Sequence, residues 1–205
     1  MPFDLFLVFA ATTAVVVIAP GPAAITVASL SAGNGMGRAM VGIAGVASAN
    51  AVYFVLSALG IASLMIASHT VFVIIKWAGV LYLIYLGLSA CLGGSGAINV
   101  KAARRHSVAA LFSKGFVVEF ANPKALLYFA AIVPQFLDMS QSIIVPLMIM
   151  GVTTLILDLI IYTAYALLGR ALVRGGAKDT VVTIINKVAG GAFVLAGVKM
   201  ATVSA

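Results

Sequence analysis

The sequence predicts an all-α integral membrane protein, six transmembrane helices arranged as two inverted three-helix repeats with helices 1 and 4 broken. Three observations predict it. The chain is 63% hydrophobic and only 8% charged, against about 25% charged for a soluble domain. Two runs, 5–31 and 39–68, hold no charged residue, and each exceeds the roughly 20 residues that cross about 30 Å of hydrocarbon. Helix-breaking clusters, Pro20-Gly21-Pro22 and Asn122-Pro123-Lys124, then recur at corresponding places in the two halves.

Taken in order, the first span covers 5–31. It lacks the basic leader of a signal peptide, offering only Asp4, and reads as a retained helix. SAGNGMGR at 31–38 leads to span two, 39–67, and the short SHT at 68–70 to span three, 71–92. The long polar segment 93–114 reads as a solvated basic linker, with an amphipathic surface helix over 100–112 as the alternative. Span four is 115–137, DMSQS fills 138–142, and span five is 143–168. RALVRGGAKDTVV at 170–182 leads to span six, 182–203. Every span must be a helix, because an open strand leaves its backbone unsatisfied in lipid. The chain thus reads as one transmembrane domain over 1–205.

The net charge of +7 does not indicate nucleic acid, because the basic residues sit in short connections between apolar runs. Arg38, Lys101, Arg104, Arg105, Lys114, Arg170, Arg174 and Lys178 occupy the first, third and fifth connections, with Lys187 at the foot of span six. The second and fourth connections and the N-terminus hold no Lys or Arg. The positive-inside rule then places both termini outside and the 93–114 linker in the cytoplasm. The single Cys91 and the absence of a Cys/His cluster give no support to a redox role, a bound metal or another cofactor. His69 and His106 read as ordinary polar loop residues.

A repeat underlies the spans. Span three opens Lys76-Trp77-Ala78-Gly79 and span six Lys187-Val188-Ala189-Gly190. Together with the paired breaks, this divides the chain into halves, 1–92 and 115–205. Three spans per half is odd, so the second half must enter the membrane inverted, as in many secondary transporters. Gly42, Gly45, Gly190 and Gly191 are expected to let helices approach closely.

Proline inside a helix removes a donor and pushes its ring against the carbonyl four residues back. Pro20 and Pro22 should therefore unwind span one near mid-membrane and free the carbonyls of Val16 and Ile18. Pro123 does the same to span four. Such breaks are tolerated only against protein or a water-filled cavity, so two facing breaks outline a polar chamber; a pair of structural kinks is the plainer alternative. Glu119, Lys124 and Asp158 lie deep in the spans, where a charge costs at least a few kcal/mol. Desolvation disfavours the charged form of a lone Asp158, which suits a proton carrier. Asp158 could instead pair with Lys124, and Glu119 could be solvated at the cytoplasmic face. Asn50, on span two, is interhelical glue or a substrate contact.

With these residues assembled, the chain resembles the lysine exporter family, in particular its homoserine/threonine branch. The signatures are APGPAA at 19–24, KWAGVLYLIYLG at 76–87, GFVVEFANPKALLYFAAIVPQF at 115–136, GVTTLILD at 151–158 and NKVAGGAF at 186–193. The resemblance implies a bacterial inner-membrane exporter of small neutral amino acids or derivatives such as homoserine, homoserine lactone or threonine, exchanged for protons. It carries over to Pro20, Gly21, Pro22, Asn122, Pro123, Lys124 and Asp158 as motif positions, while Glu119 stands where Asn or Gln is expected. A homodimer is compatible with it.

The expected partners are an amino acid, protons and the bilayer, with no nucleic acid. Lys124 suits a substrate carboxylate; freed carbonyls near Pro20, with Asp158 or Glu119, suit its ammonium. If one acid takes either a proton or the ammonium, antiport follows from the competition. A membrane enzyme is disfavoured, since no nucleophile, base and orienting group converge. A passive channel, a scaffold subunit and an exporter of another solute remain as rivals; a chamber with a Lys and no Cys or His suits a metal ion poorly. The topology has a direct check. With Cys91 removed, Ser140→Cys is expected to react with a membrane-impermeant thiol reagent from outside; reaction only from the cytoplasmic side would overturn it.

Overall fold

The computed structural model describes residues 1–67, 104–137 and 142–173, with single helical positions between 77 and 88 and between 184 and 198. Spans three and six are thus described only in part. His69, Lys76, Cys91, Lys101, Arg174, Lys178 and Gly190 lie outside the described residues.

The described elements are helical. Helix α1 covers Phe3–Ile18, α2 Pro22–Asn34 and α3 Met36–Ala67. Helix α4 covers Val108–Phe120, and α5, Pro123–Leu127, runs on through a π turn, Tyr128–Ile132, and a 3-10 turn, Val133–Phe136. Helix α6 covers Ile144–Val173. Two stretches, Met36–Ser57 and Ile144–Val173, are long and apolar enough to cross a membrane alone. Two more qualify as bent pairs: α1 with α2, at 58°, and α4 with Lys124–Phe136, at 54°. The chain therefore bends where its prolines stand, at Pro20–Pro22 and at Pro123.

The ends of the elements differ from the sequence expectation in informative ways. Between α2 and α3 only Gly35 leaves the helix, at φ 84°. That left-handed conformation favours glycine, and it turns the chain in one residue, so the rest of the expected 31–38 connection is helical. Helix α4 begins at Val108, ahead of the expected 115, because Ser107 caps it by accepting from Ala110 N at 3.3 Å. The segment before it is pinned to the α2–α3 corner. Asn34 donates to Arg104 O at 3.2 Å and accepts from His106 N at 2.8 Å, while Arg38 donates to His106 O at 3.2 Å.

Polarity is inverted relative to a soluble helix. Helix α6 exposes Ile144, Met148, Val152, Ile156 and Ile160 while burying Thr154, Asp158, Tyr162 and Tyr165. In hydrocarbon that is the favourable arrangement, since polar groups need partners and apolar side chains do not. Two cores lie along the molecule. One gathers Phe9, Tyr53, Phe129, Val133 and Met150; the other gathers Val27, Ile43, Val46, Tyr162 and Ala166.

Small residues set the tightest contacts. A Cβ added to Gly115 would fall on Gly42 O, and one added to Gly45 on Phe112 O, so α3 and α4 touch backbone to backbone. Helices α2 and α6 do the same where Gly169 meets Ala28. Gly42 and Gly45 thus act as expected, whereas a Cβ on Gly191 meets nothing within 4 Å. Gly115→Ala is expected to lower the melting temperature of the detergent-solubilised protein, since overpacking costs about 1–3 kcal/mol. Gly37→Ala, where an added Cβ meets nothing within 4 Å, is expected to leave it unchanged or raise it. Equal melting of the two variants would contradict the close α3–α4 contact.

Candidate functional site

The two helix breaks meet, and the side chains between them are arranged by the carbonyls that the prolines set free. Pro20 removes the amide that would serve Val16 O, and Pro22 the amide that would serve Ile18 O. Lys124 Nζ donates to Val16 O at 2.9 Å and to Ala19 O at 2.9 Å. The Tyr165 hydroxyl, from α6, donates to Ile18 O. A break in span one is thus closed by a lysine from span four and a tyrosine from span five. Gly21 makes the reach feasible, because a Cβ there would stand 3.3 Å from Lys124 Nζ and 3.5 Å from its Cε.

The second break is closed in kind. Asn122 Oδ1 accepts from Lys124 N at 3.0 Å and caps α5. That amide no longer serves Phe120 O, which instead takes the Tyr53 hydroxyl of α3 at 2.6 Å. Glu119 O, orphaned by Pro123, accepts from Asn122 N at 3.0 Å. The same logic explains Ser57. In a π turn each amide donates five residues back, as Val133 N does to Tyr128 O. Pro134 follows and has no N–H for Phe129 O, which Ser57 Oγ serves at 3.3 Å.

Three ionisable groups sit inside. Glu119 is 4% exposed, Lys124 8% and Asp158 0%. Glu119 Oε2 accepts from Asn122 Nδ2 at 3.0 Å, which turns the Asn122 oxygen toward Lys124 N. Asp158 Oδ2 accepts from Asn50 Nδ2 at 2.7 Å. Neither acid pairs with Lys124, whose ammonium is held by backbone carbonyls; the alternative of an Asp158–Lys124 salt bridge is not what forms. Nor is Glu119 solvated. Thr13 and Tyr128 complete the ring, their hydroxyls 2.8 Å apart.

A cavity of about 20 Å³ lies between the breaks, lined by Asn50, Glu119, Lys124, Tyr128, Thr154 and Tyr162 among others. It has room for about one water. Where facing breaks led to the expectation of a polar chamber, the structure holds only this small cavity, with Lys124 in its wall. Pro20 and Pro22 act through the backbone they release, and Pro22 itself is exposed. Asp158 borders a separate cleft between α3 and α6 rather than this cavity, and Asn50 and Thr154 border both. Thr13, Tyr53, Ser57, Tyr128 and Tyr165 escaped the sequence reading as site residues. Their signal was available in kind: a hydroxyl deep in a span beside one broken by proline.

Two bent helix pairs closing on a buried ionisable cluster, with apolar side chains facing outward, define a polytopic membrane protein with a polar interior. The chain belongs to the LysE type translocator family, whose pattern matches residues 14–204. It is similar to the homoserine/homoserine lactone efflux protein of Salmonella typhimurium, 31% identical over 98% of each chain. It is also similar to the leucine efflux protein of the same organism, 28% identical over 91% of this chain and 90% of the relative. An uncharacterized membrane protein of Vibrio cholerae is 28% identical over the full length of both. No solved structure matches the chain.

The carbonyl accounting predicts stability. Tyr53→Phe and Tyr165→Phe each leave one freed carbonyl without its donor, at a cost of about 1–3 kcal/mol. Because the two hydroxyls serve different breaks, the double variant is expected to show nearly the sum. Denaturant unfolding in mixed micelles measures this; wild-type stability in both single variants would mean the carbonyls find other partners.

Proposed function

We propose that the protein exports amino acids or close derivatives across the bacterial inner membrane in exchange for protons. In this reading both termini face outward. Residues 1–92 and 115–205 form two inverted repeats, joined by 93–114 in the cytoplasm. The two bent pairs, each followed by a long unbroken helix, support the repeat. Family membership supports transport, and the relatives' names supply the solute class. Homoserine, homoserine lactone and leucine differ in side chain, and the lactone has no free carboxylate. All three carry a primary ammonium.

The observation that carries the mechanism is a buried cation and a buried acid at adjoining spaces: Lys124 lines the cavity between the breaks, Asp158 the α3–α6 cleft, and Asn50 and Thr154 line both. Lys124 Nζ sits on two carbonyls that it can leave for a carboxylate. Asp158 is fully buried, with one carboxylate oxygen unpartnered. An acid so placed can hold a proton or a cationic solute but not both, which makes proton entry and solute exit competing events. Glu119 is the alternative acid, but one of its oxygens is committed to the cap at Asn122. The cavity is far too small for an amino acid, so uptake requires the helices around it to part. A homodimer fits this reading without being required by it.

A passive channel would not couple the two flows, and that separates the readings. In proteoliposomes, an imposed pH gradient is expected to drive homoserine or threonine flux through the wild type. Asp158→Asn is expected to abolish that drive. Flux indifferent to both gradient and substitution would sink the antiport.

A further inference from the structure

Three buried polar atoms lack any hydrogen-bond partner among the described residues: Asn50 Oδ1, Thr154 Oγ1 and Asp158 Oδ1. Their residues are 5%, 2% and 0% exposed. Leaving a buried polar atom unsatisfied is destabilising, and native structures hold only a few such atoms per hundred residues. The three residues that carry them all line one cleft of about 290 Å³ between α3 and α6, whose other walls are apolar, including Ala47, Phe54, Val152 and Leu155.

The chemistry of the three atoms is one-sided. Asn50 Nδ2 donates to Asp158 Oδ2 at 2.7 Å, which leaves its amide oxygen able only to accept. Asp158 Oδ1, when ionised, only accepts. Thr154, one helical turn before Asp158, offers a hydroxyl that can accept as well. Three acceptors, one of them anionic, match a group that carries three N–H donors and one positive charge. Lys124 does not supply it, because its ammonium is bonded to Val16 O and Ala19 O.

We infer that the α3–α6 cleft seats the primary ammonium of the transported solute on Asp158 Oδ1, Asn50 Oδ1 and Thr154 Oγ1, with the solute's apolar part along the cleft wall. The inference rests on the export reading and sharpens it: recognition is anchored on the ammonium, and Lys124 is secondary. A solute may then lack a carboxylate but not a primary amine. N-methylation removes one of three donors, and loss of a charge-assisted hydrogen bond weakens binding by about 10- to 100-fold.

The test is competition against labelled leucine exchange in proteoliposomes, with melting shifts of the purified protein measured in parallel. Leucinol, an amine without a carboxylate, is expected to compete within about tenfold of leucine. N-methyl-leucine is expected to be at least roughly tenfold weaker, and the hydroxy acid lacking the amine to be inert. Thr154→Val should weaken leucine and shrink its advantage over N-methyl-leucine, while Thr154→Ser keeps both; the melting temperatures of the two variants show whether they fold. Competition by the hydroxy acid but not by leucinol would overturn the inference and leave export standing. Melting shifts with leucinol in a protein that moves no amino acid would keep the site and remove the export reading. No shift and no competition by any primary amine would overturn the site itself.

Discussion

In hydrocarbon a backbone carbonyl has no water to turn to, and every proline inside a span releases one. This constraint organises the molecule. Val16 O, Ile18 O, Phe120 O and Phe129 O lose their helical partners, and Lys124, Tyr165, Tyr53 and Ser57 replace them from other helices. Each replacement fixes the distance between two spans. The bends of 58° and 54° are therefore held by specific donors rather than by packing alone, and packing supplies the rest where Gly42, Gly115 and Gly169 bring backbones together.

The accounting also decides what the interior can bind. Most of its strong donors have acceptors in place: Lys124 Nζ and two tyrosine hydroxyls sit on backbone carbonyls, and the Asn122 side-chain amide on Glu119 Oε2. Among the described residues, the buried side-chain atoms left without partners are Asn50 Oδ1, Thr154 Oγ1 and Asp158 Oδ1, and none of them is a nitrogen. Open acceptors, one of them a carboxylate oxygen, favour cationic over anionic groups, whatever the side chain attached. That asymmetry is consistent with relatives whose named solutes share an ammonium and differ elsewhere.

Much of this was legible in the sequence, and the illegible part has one cause. The breaks follow from Pro20, Pro22 and Pro123, and the freed Val16 and Ile18 carbonyls follow from counting four residues back. That Lys124 and Asp158 are buried follows from their positions inside apolar runs, whereas the sequence left Glu119 open to solvation at the cytoplasmic face and the structure buries it. Which donor serves which carbonyl does not follow, because Tyr165 and Ile18 are 147 residues apart and only packing brings them together. The same holds for Lys124, which reads as an anion hook in the sequence and is a backbone staple in the structure. Gly35 shows the local version: the glycine was visible, but not that one left-handed residue would do the work of an eight-residue connection.

Any movement that admits a solute is bounded by the same constraint. Parting the helices around a cavity of about 20 Å³ pulls Lys124 from Val16 O and Ala19 O, or Tyr53 from Phe120 O, and leaves carbonyls bare. Bare carbonyls in a dry interior cost about 1–3 kcal/mol each, so opening is unfavourable unless water or a polar solute enters as the helices separate. The breaks are then not loose hinges. They are positions where the cost of opening is set by how well the incoming molecule or water replaces a lysine or a tyrosine as donor.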